Sequence, residues 1–226
     1  MISSSEIRLV MADIDIFCKL AAWDLLDHIP ELFQCTWKDV ATLSTLKYRI
    51  LREINSSQFR LLCSLTAAEK ALSILGAMQQ LPEAETERIT TLQAIPTVDP
   101  GEAILFAIAA QYPLSYLLTG DKRAVIGVAT AAQNYPILRL NKQVVCLEQV
   151  IRALLLTKGI DWLRSKVCPR RCIDKAIGNV MGSKCDSQYS AVDDGLQSYV
   201  SDLAGKCGEF LSDIHLTHIC QEDVTQ

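Results

Sequence analysis

Ile7-Arg8-Leu9-Val10-Met11-Ala12-Asp13-Ile14-Asp15-Ile16-Phe17-Cys18 changes its periodicity at one aspartate. Before Asp13 the run is short, apolar and β-rich, which predicts a strand over residues 7–12. After it, Ile14, Phe17, Cys18, Ala21 and Leu25 fall at i, i+3, i+4, i+7 and i+11, the spacing of one helix face. A strand that passes directly into a helix begins a βα unit, and successive βα units build a parallel sheet.

Outward from this junction the alternation continues. Residues 40–46 (VATLSTL) predict a second strand, and 48–78 a helical stretch that is clearest over 67–78, where good helix formers dominate. Pro82 breaks it, and a polar helix is expected over 83–93. After a loop at 96–101, residues 102–111 (EAILFAIAAQ) predict a buried helix that Pro113 ends. A strand over 115–119 (SYLLT), a helix over 121–133 and a further strand over 136–140 (PILRL) follow. Beyond Val144 only helices are expected, over 146–157, 161–167 and 172–181, with a polar loop at 182–190. Leu196, Tyr199, Val200, Leu203, Cys207, Phe210 and Leu211 then lie on one amphipathic stripe. The expected class is α/β: a parallel-sheet α/β/α domain over 1–155, followed by a helical extension over 156–226. The stripe serves as core, or docks a partner helix or a second copy of the chain as a homodimer.

Half of the 226 residues are hydrophobic, enough for a sizeable core, and glycine and proline are sparse at 10 and 7. The net charge of −4 and pI of 5.4 remove the signature of a broadly basic nucleic-acid binder. Nine cysteines, several of them within apolar periodic runs, read as reduced core thiols. Met1-Ile2-Ser3-Ser4-Ser5-Glu6 has no basic region leading into an apolar stretch, and no apolar run reaches the ~20 residues of a membrane span. The expectation is a cytoplasmic chain without a membrane segment. Cys168 with Cys172, and His215 with His218 and Cys220, lack the paired Cys-x-x-Cys of a zinc site. No phosphate-cradling glycine loop and no nucleophile elbow appears.

The chemistry therefore falls to carboxylates. Asp13 closes one strand and opens a helix, and Asp121 does the same in Leu117-Leu118-Thr119-Gly120-Asp121. All strands of a parallel sheet end on one edge, so both aspartates face the crevice where such folds hold ligands. The turn Asp99-Pro100-Gly101 brings Glu102 toward the same edge. Three converging carboxylates suit a hard cation such as Mg²⁺ or Mn²⁺. The structural alternative is plain capping, since aspartate is favoured at a helix start and glutamate in a first turn. Lys47, Arg49 and Arg52 form one basic cluster, Lys122 and Arg123 a second, and Arg164, Lys166, Arg170, Arg171 and Lys175 a third.

Taken in order, Ala12-Asp13-Ile14-Asp15, Gly101-Glu102-Ala103 and Leu118-Thr119-Gly120-Asp121-Lys122-Arg123-Ala124 resemble the motifs of the PIN-domain nucleases, over about residues 7–145. The resemblance implies divalent-metal-dependent cleavage of RNA, or less often DNA, by an endoribonuclease with Mg²⁺ or Mn²⁺ as cofactor. It implies that Asp13, Glu102 and Asp121 are catalytic metal ligands and that Asp15 is a supplementary ligand. Thr119, Lys122 and Arg123 are then expected near the nucleic acid. Many small members are toxins restrained by a small protein antitoxin, which implies such an inhibitor as a partner. The chain departs from the pattern where Lys47 and Arg49 stand in place of an acid after the second strand, and where no acid follows the third motif at once. The other reading is a catalytically silent PIN-like module that binds a protein partner.

Overall fold

The structure is a computed structural model and describes residues 9–213. Four strands, β1 (Leu9–Ala12), β2 (Val40–Ala41), β3 (Ser115–Thr119) and β4 (Val144–Cys146), form one sheet in the order β2-β1-β3-β4. Every pairing is parallel, with Met11 opposite Ala41 and Leu117, and Leu117 opposite Val144. The chain steps from β1 to one side and returns past it to the other, so the topological switch lies between β1 and β3.

Strand residues alternate between two cores, as the pleat requires. Val10, Ala12, Val40, Leu118 and Val145 enter one cluster, while Leu9, Met11, Ala41, Leu117, Val144 and Cys146 enter the other. The first core is closed by α1 (Ile14–Ala22), α2 (His28–Phe33), α3 (Thr45–Ser56) and α4 (Leu65–Ala77). The second is closed by α5 (Thr86–Gln93), α6 (Pro100–Gln111) and α7 (Lys122–Ala131). The helices α8 (Leu147–Lys158), α9 (Ile160–Val167), α10 (Lys175–Met181) and α11 (Tyr189–Cys207) complete both. Leu163, Val167, Ile177, Met181, Val192 and Leu196 belong to the first core, and Leu203, Cys207, Phe210 and Leu211 to the second.

Several expectations are corrected. The second strand stops at Ala41, and Leu46 lies in α3. Leu46 and Ile50 are buried one turn apart, the start of a helix face that a short apolar run hides. The helix expected over 48–78 breaks at 57–64, where the buried Glu53 carboxylate accepts the N–H groups of Arg60 (2.7 Å), Leu61 (2.6 Å) and Leu62 (3.4 Å). Residues 136–140 are not a strand: Pro136–Leu138 is a 3₁₀ turn, since a proline cannot donate to a ladder, and the fourth strand is Val144–Cys146. The stripe after Leu196 leaves the helix at Cys207, where Gly208 (φ 57°) turns the chain. Leu211 then bridges Val144 and the Ser212 N–H donates to the Val144 carbonyl (2.7 Å), so the chain covers the open edge of β4.

The reduced-thiol expectation fails for one pair, because Cys168 and Cys185 form a disulfide. Among the described residues no helix is long and apolar enough to cross a membrane. His215, His218 and Cys220 lie outside the described residues.

Candidate active site

The Asp13 N–H donates to the Leu118 carbonyl (2.9 Å), so the end of β1 is tied to the end of β3 at the switch point. Thr42 Oγ1 donates to the Ala12 carbonyl (2.7 Å) and ties β2 to the same place. The carboxylates there begin as helix caps. Asp13 Oδ1 accepts from the Ile14 N–H (2.7 Å), and Asp121 Oδ1 accepts from those of Arg123 (2.8 Å) and Ala124 (3.1 Å). Asp99 and Glu102 form a capping box on α6: Asp99 Oδ1 accepts from the Glu102 N–H (2.8 Å), and Glu102 Oε2 accepts from the Asp99 N–H (2.8 Å). Each of these bonds engages one oxygen of a two-oxygen group, so capping leaves ligand capacity.

All four acids line one cleft of 1330 Å³. Burial pushes the Asp13 carboxyl up to about 6, helped by the charges of Asp15 and Asp99 and opposed by hydrogen bonds from the Ile14 and Asp15 N–H groups. Burial pushes Glu102 up to about 7; the charges of Asp99, Asp121 and Asp13 add to this, and the bond from the Asp99 N–H opposes it. Glu102 thus feels the charges of Asp13 and Asp121 in the cleft. Two glycines permit the approach. A Cβ on Gly101 would lie 2.7 Å from Leu43 Cδ1, and one on Gly120 would lie 2.9 Å from Asp15 Oδ2.

Cations share the cleft. Lys19 Nζ lies 2.6 Å from Asp15 Oδ2 and 2.9 Å from Asp174 Oδ2, so the exposed Asp15 is already paired. Lys122 Nζ is held by Glu148 at 2.5 Å and stands 4.5 Å from the centre of the Tyr199 ring. Arg123 is 85% exposed, with its guanidinium 3.5 Å from Asp121 Oδ2. Arg49, Arg60 and Lys175 also line the cleft and form no ion pair among the described residues. Thr119 is buried and does not line the cleft; its hydroxyl accepts from the Asp121 N–H (3.2 Å).

Two cleft acids escape a reading of the sequence. Glu148 is 3% exposed in the first turn of α8, directly after β4. It repeats the strand-then-acid order of Asp13 and Asp121, and the misplaced fourth strand concealed it. Asp174 caps α10 through the Ala176 (2.9 Å) and Ile177 (3.1 Å) N–H groups. No sequence signal connects it to α1; its ion pair with Lys19 does so in space.

The donors are all carboxylate oxygens, which fits a hard divalent cation. Among the described residues, however, no three of them close to the spacing of metal ligands. No protein-family model matches the chain, nor does any curated protein or any solved structure.

Proposed function

We propose that the chain is a divalent-metal-dependent ribonuclease of the PIN type, acting on RNA phosphodiesters at the cleft between β1 and β3. The observation that carries this reading is that Asp13, Glu102 and Asp121 line one cleft at the topological switch, with Asp13 and Glu102 held at raised pKa by burial and by neighbouring carboxylates. Asp13, Glu102 and Asp121 would hold Mg²⁺ or Mn²⁺. When bound, such a cation polarises a phosphodiester and acidifies water.

The remaining roles belong to the chain itself. Asp13 and Glu102 give up protons as the cation arrives, so affinity rises with pH through about 6 to 7. Arg49, Arg60, Arg123 and Lys175, from four separate segments, offer positive charge to a phosphate backbone. Lys122 is committed to Glu148, and its first duty is to hold α7 against α8.

Asp121→Asn tests the assignment, because asparagine keeps the helix cap and removes the charge. The expected result is loss of RNA cleavage and of Mn²⁺ binding, with circular dichroism unchanged. Retained cleavage overturns the assignment.

A second reading, a silent PIN-like module with a protein partner, is favoured by two observations. Lys19 is already shared between Asp15 and Asp174 and Lys122 is paired with Glu148 within the cleft, and no three of the acids close to ligand spacing among the described residues. It predicts no cleavage with any divalent ion and a stable protein complex instead.

A further inference from the structure

The helix α3 presents two unlike faces. Leu46, Ile50 and Glu53 fall at i, i+4 and i+7, and all three are buried. Thr45, Tyr48, Arg49 and Arg52 fall at i, i+3, i+4 and i+7 on another side, and all four are exposed. Thr45 and Arg49 line the cleft, whereas Tyr48 and Arg52 stand outside it. The exposed face therefore begins in the cleft and leads out of it over about 10 Å of helix.

This face is positive and carries no countercharge. Glu53 is the only acid of α3, and its buried carboxylate is taken by the N–H groups of residues 60–62. Arg49 and Arg52, with Lys47 beside them and Arg60 just beyond the helix, form no ion pair among the described residues. Cations elsewhere on the surface are paired: Lys70 with Asp24 and Asp27, Arg152 with Asp193, Lys158 with Glu31.

Tyr48 stands among these cations. At 69% it is the most exposed large apolar side chain of the described residues, and within them it has no hydrogen bond or ring contact. Arg52 follows it by one turn, at the i+4 position of a side-chain neighbour. A free aromatic face beside guanidinium groups suits a nucleic-acid strand, with a base on the ring and phosphates on the arginines. Only an unpaired strand can turn a base out onto such a ring. No aliphatic side chain shares the face, so it lacks the apolar centre of a protein interface.

We propose that the exposed face of α3 binds the single-stranded RNA that flanks the cleft, with Tyr48 stacking on a base and Arg52 holding a phosphate. The assignment rests on the reading of the cleft as an RNA site. It extends that site past the cleft, to two residues that take no part in metal binding.

Binding of a fluorescein-labelled oligouridylate of about 12 nucleotides to the full-length chain, followed by fluorescence anisotropy in EDTA, tests this. Without a divalent ion the measurement reads binding alone, so a chain that never cleaves RNA leaves its result intact. Tyr48→Ala should weaken binding about tenfold, and Tyr48→Phe, which keeps the ring, should bind within about twofold of the wild type. Arg52→Ala should weaken binding and flatten the slope of log K against log salt by about 0.7. An RNA duplex of the same length, its bases already stacked, should bind the wild type and Tyr48→Ala alike. Oligouridylate binding that is absent in the wild type, or unchanged in both Tyr48→Ala and Arg52→Ala, overturns the proposal. Displacement of the oligouridylate by polyglutamate at equal charge concentration, with Tyr48→Ala without effect, overturns it in favour of an acidic protein partner.

Discussion

Asp13 has two tasks that make opposite demands on its charge. As a cap it favours the negative form through the Ile14 N–H; in a buried cleft beside Asp15 and Asp99 that form is costly, and the cost dominates. Glu102 is in the same position. Both folded-state values lie above the ordinary carboxylate range, so the folded chain binds these protons more tightly than the unfolded chain. Their stabilising contribution is complete below about pH 4 and is lost as pH rises through about 6 for Asp13 and about 7 for Glu102. Asp13→Asn and Glu102→Gln remove the charge and keep a capping oxygen. Each variant should be more stable than the wild type by about 2–3 kcal/mol at about pH 8, a rise in melting temperature of about 4–10 °C. The gap should vanish at about pH 4, where the wild-type acids are protonated. Thermal denaturation with a chelator present measures this. Variants that melt at or below the wild type at the higher pH would mean that the caps, not the repulsion, govern these residues.

At the scale of elements, the cleft wall depends on how closely α10 meets the 3₁₀ turn before it, Cys168–Ile173. A Cβ on Gly178 would stand 2.7 Å from the Arg171 carbonyl oxygen. That oxygen is backbone, in a turn already fixed by the bond from Trp23 Nε1 to the Arg170 carbonyl and by the Cys168–Cys185 disulfide, so it cannot step aside cheaply. Gly178→Ala should therefore destabilise the fold by about 1–3 kcal/mol despite alanine's better helix propensity. Hydrogen exchange should localise the loosening to the turn and α10, where Asp174 meets Lys19. A stabilised variant would show that the turn can yield. The same scale explains the corrected elements. A two-residue strand such as β2 has no periodicity to read, and Val144–Cys146 merges into the apolar start of α8. By contrast α6, with its proline start and capping box, and β3, bounded by Gly120, stand out in the sequence.

At the scale of the whole molecule, residues beyond 156 fill both cores and cover the edge of β4. A chain ending at residue 155 would expose the faces that receive Leu163, Val167, Leu196, Leu203 and Leu211. It should lose cooperative thermal unfolding and bind a hydrophobic dye. A sharp, reversible transition in that fragment would show that the first 155 residues hold a sufficient core alone. What the sequence determined by itself was the α/β class, the two strand-to-helix aspartates and the capped glutamate, because strand and helix periods and cap residues are local properties. Only the tertiary structure decided the rest: that Glu148 and Asp174 join the cleft, that Lys19 and Lys122 neutralise part of it, and that Thr45 and Arg49 of α3 share its wall. Those relations hold between residues far apart in the chain. They are fixed by sheet order and by the docking of the last helices, and neither is written in a local pattern.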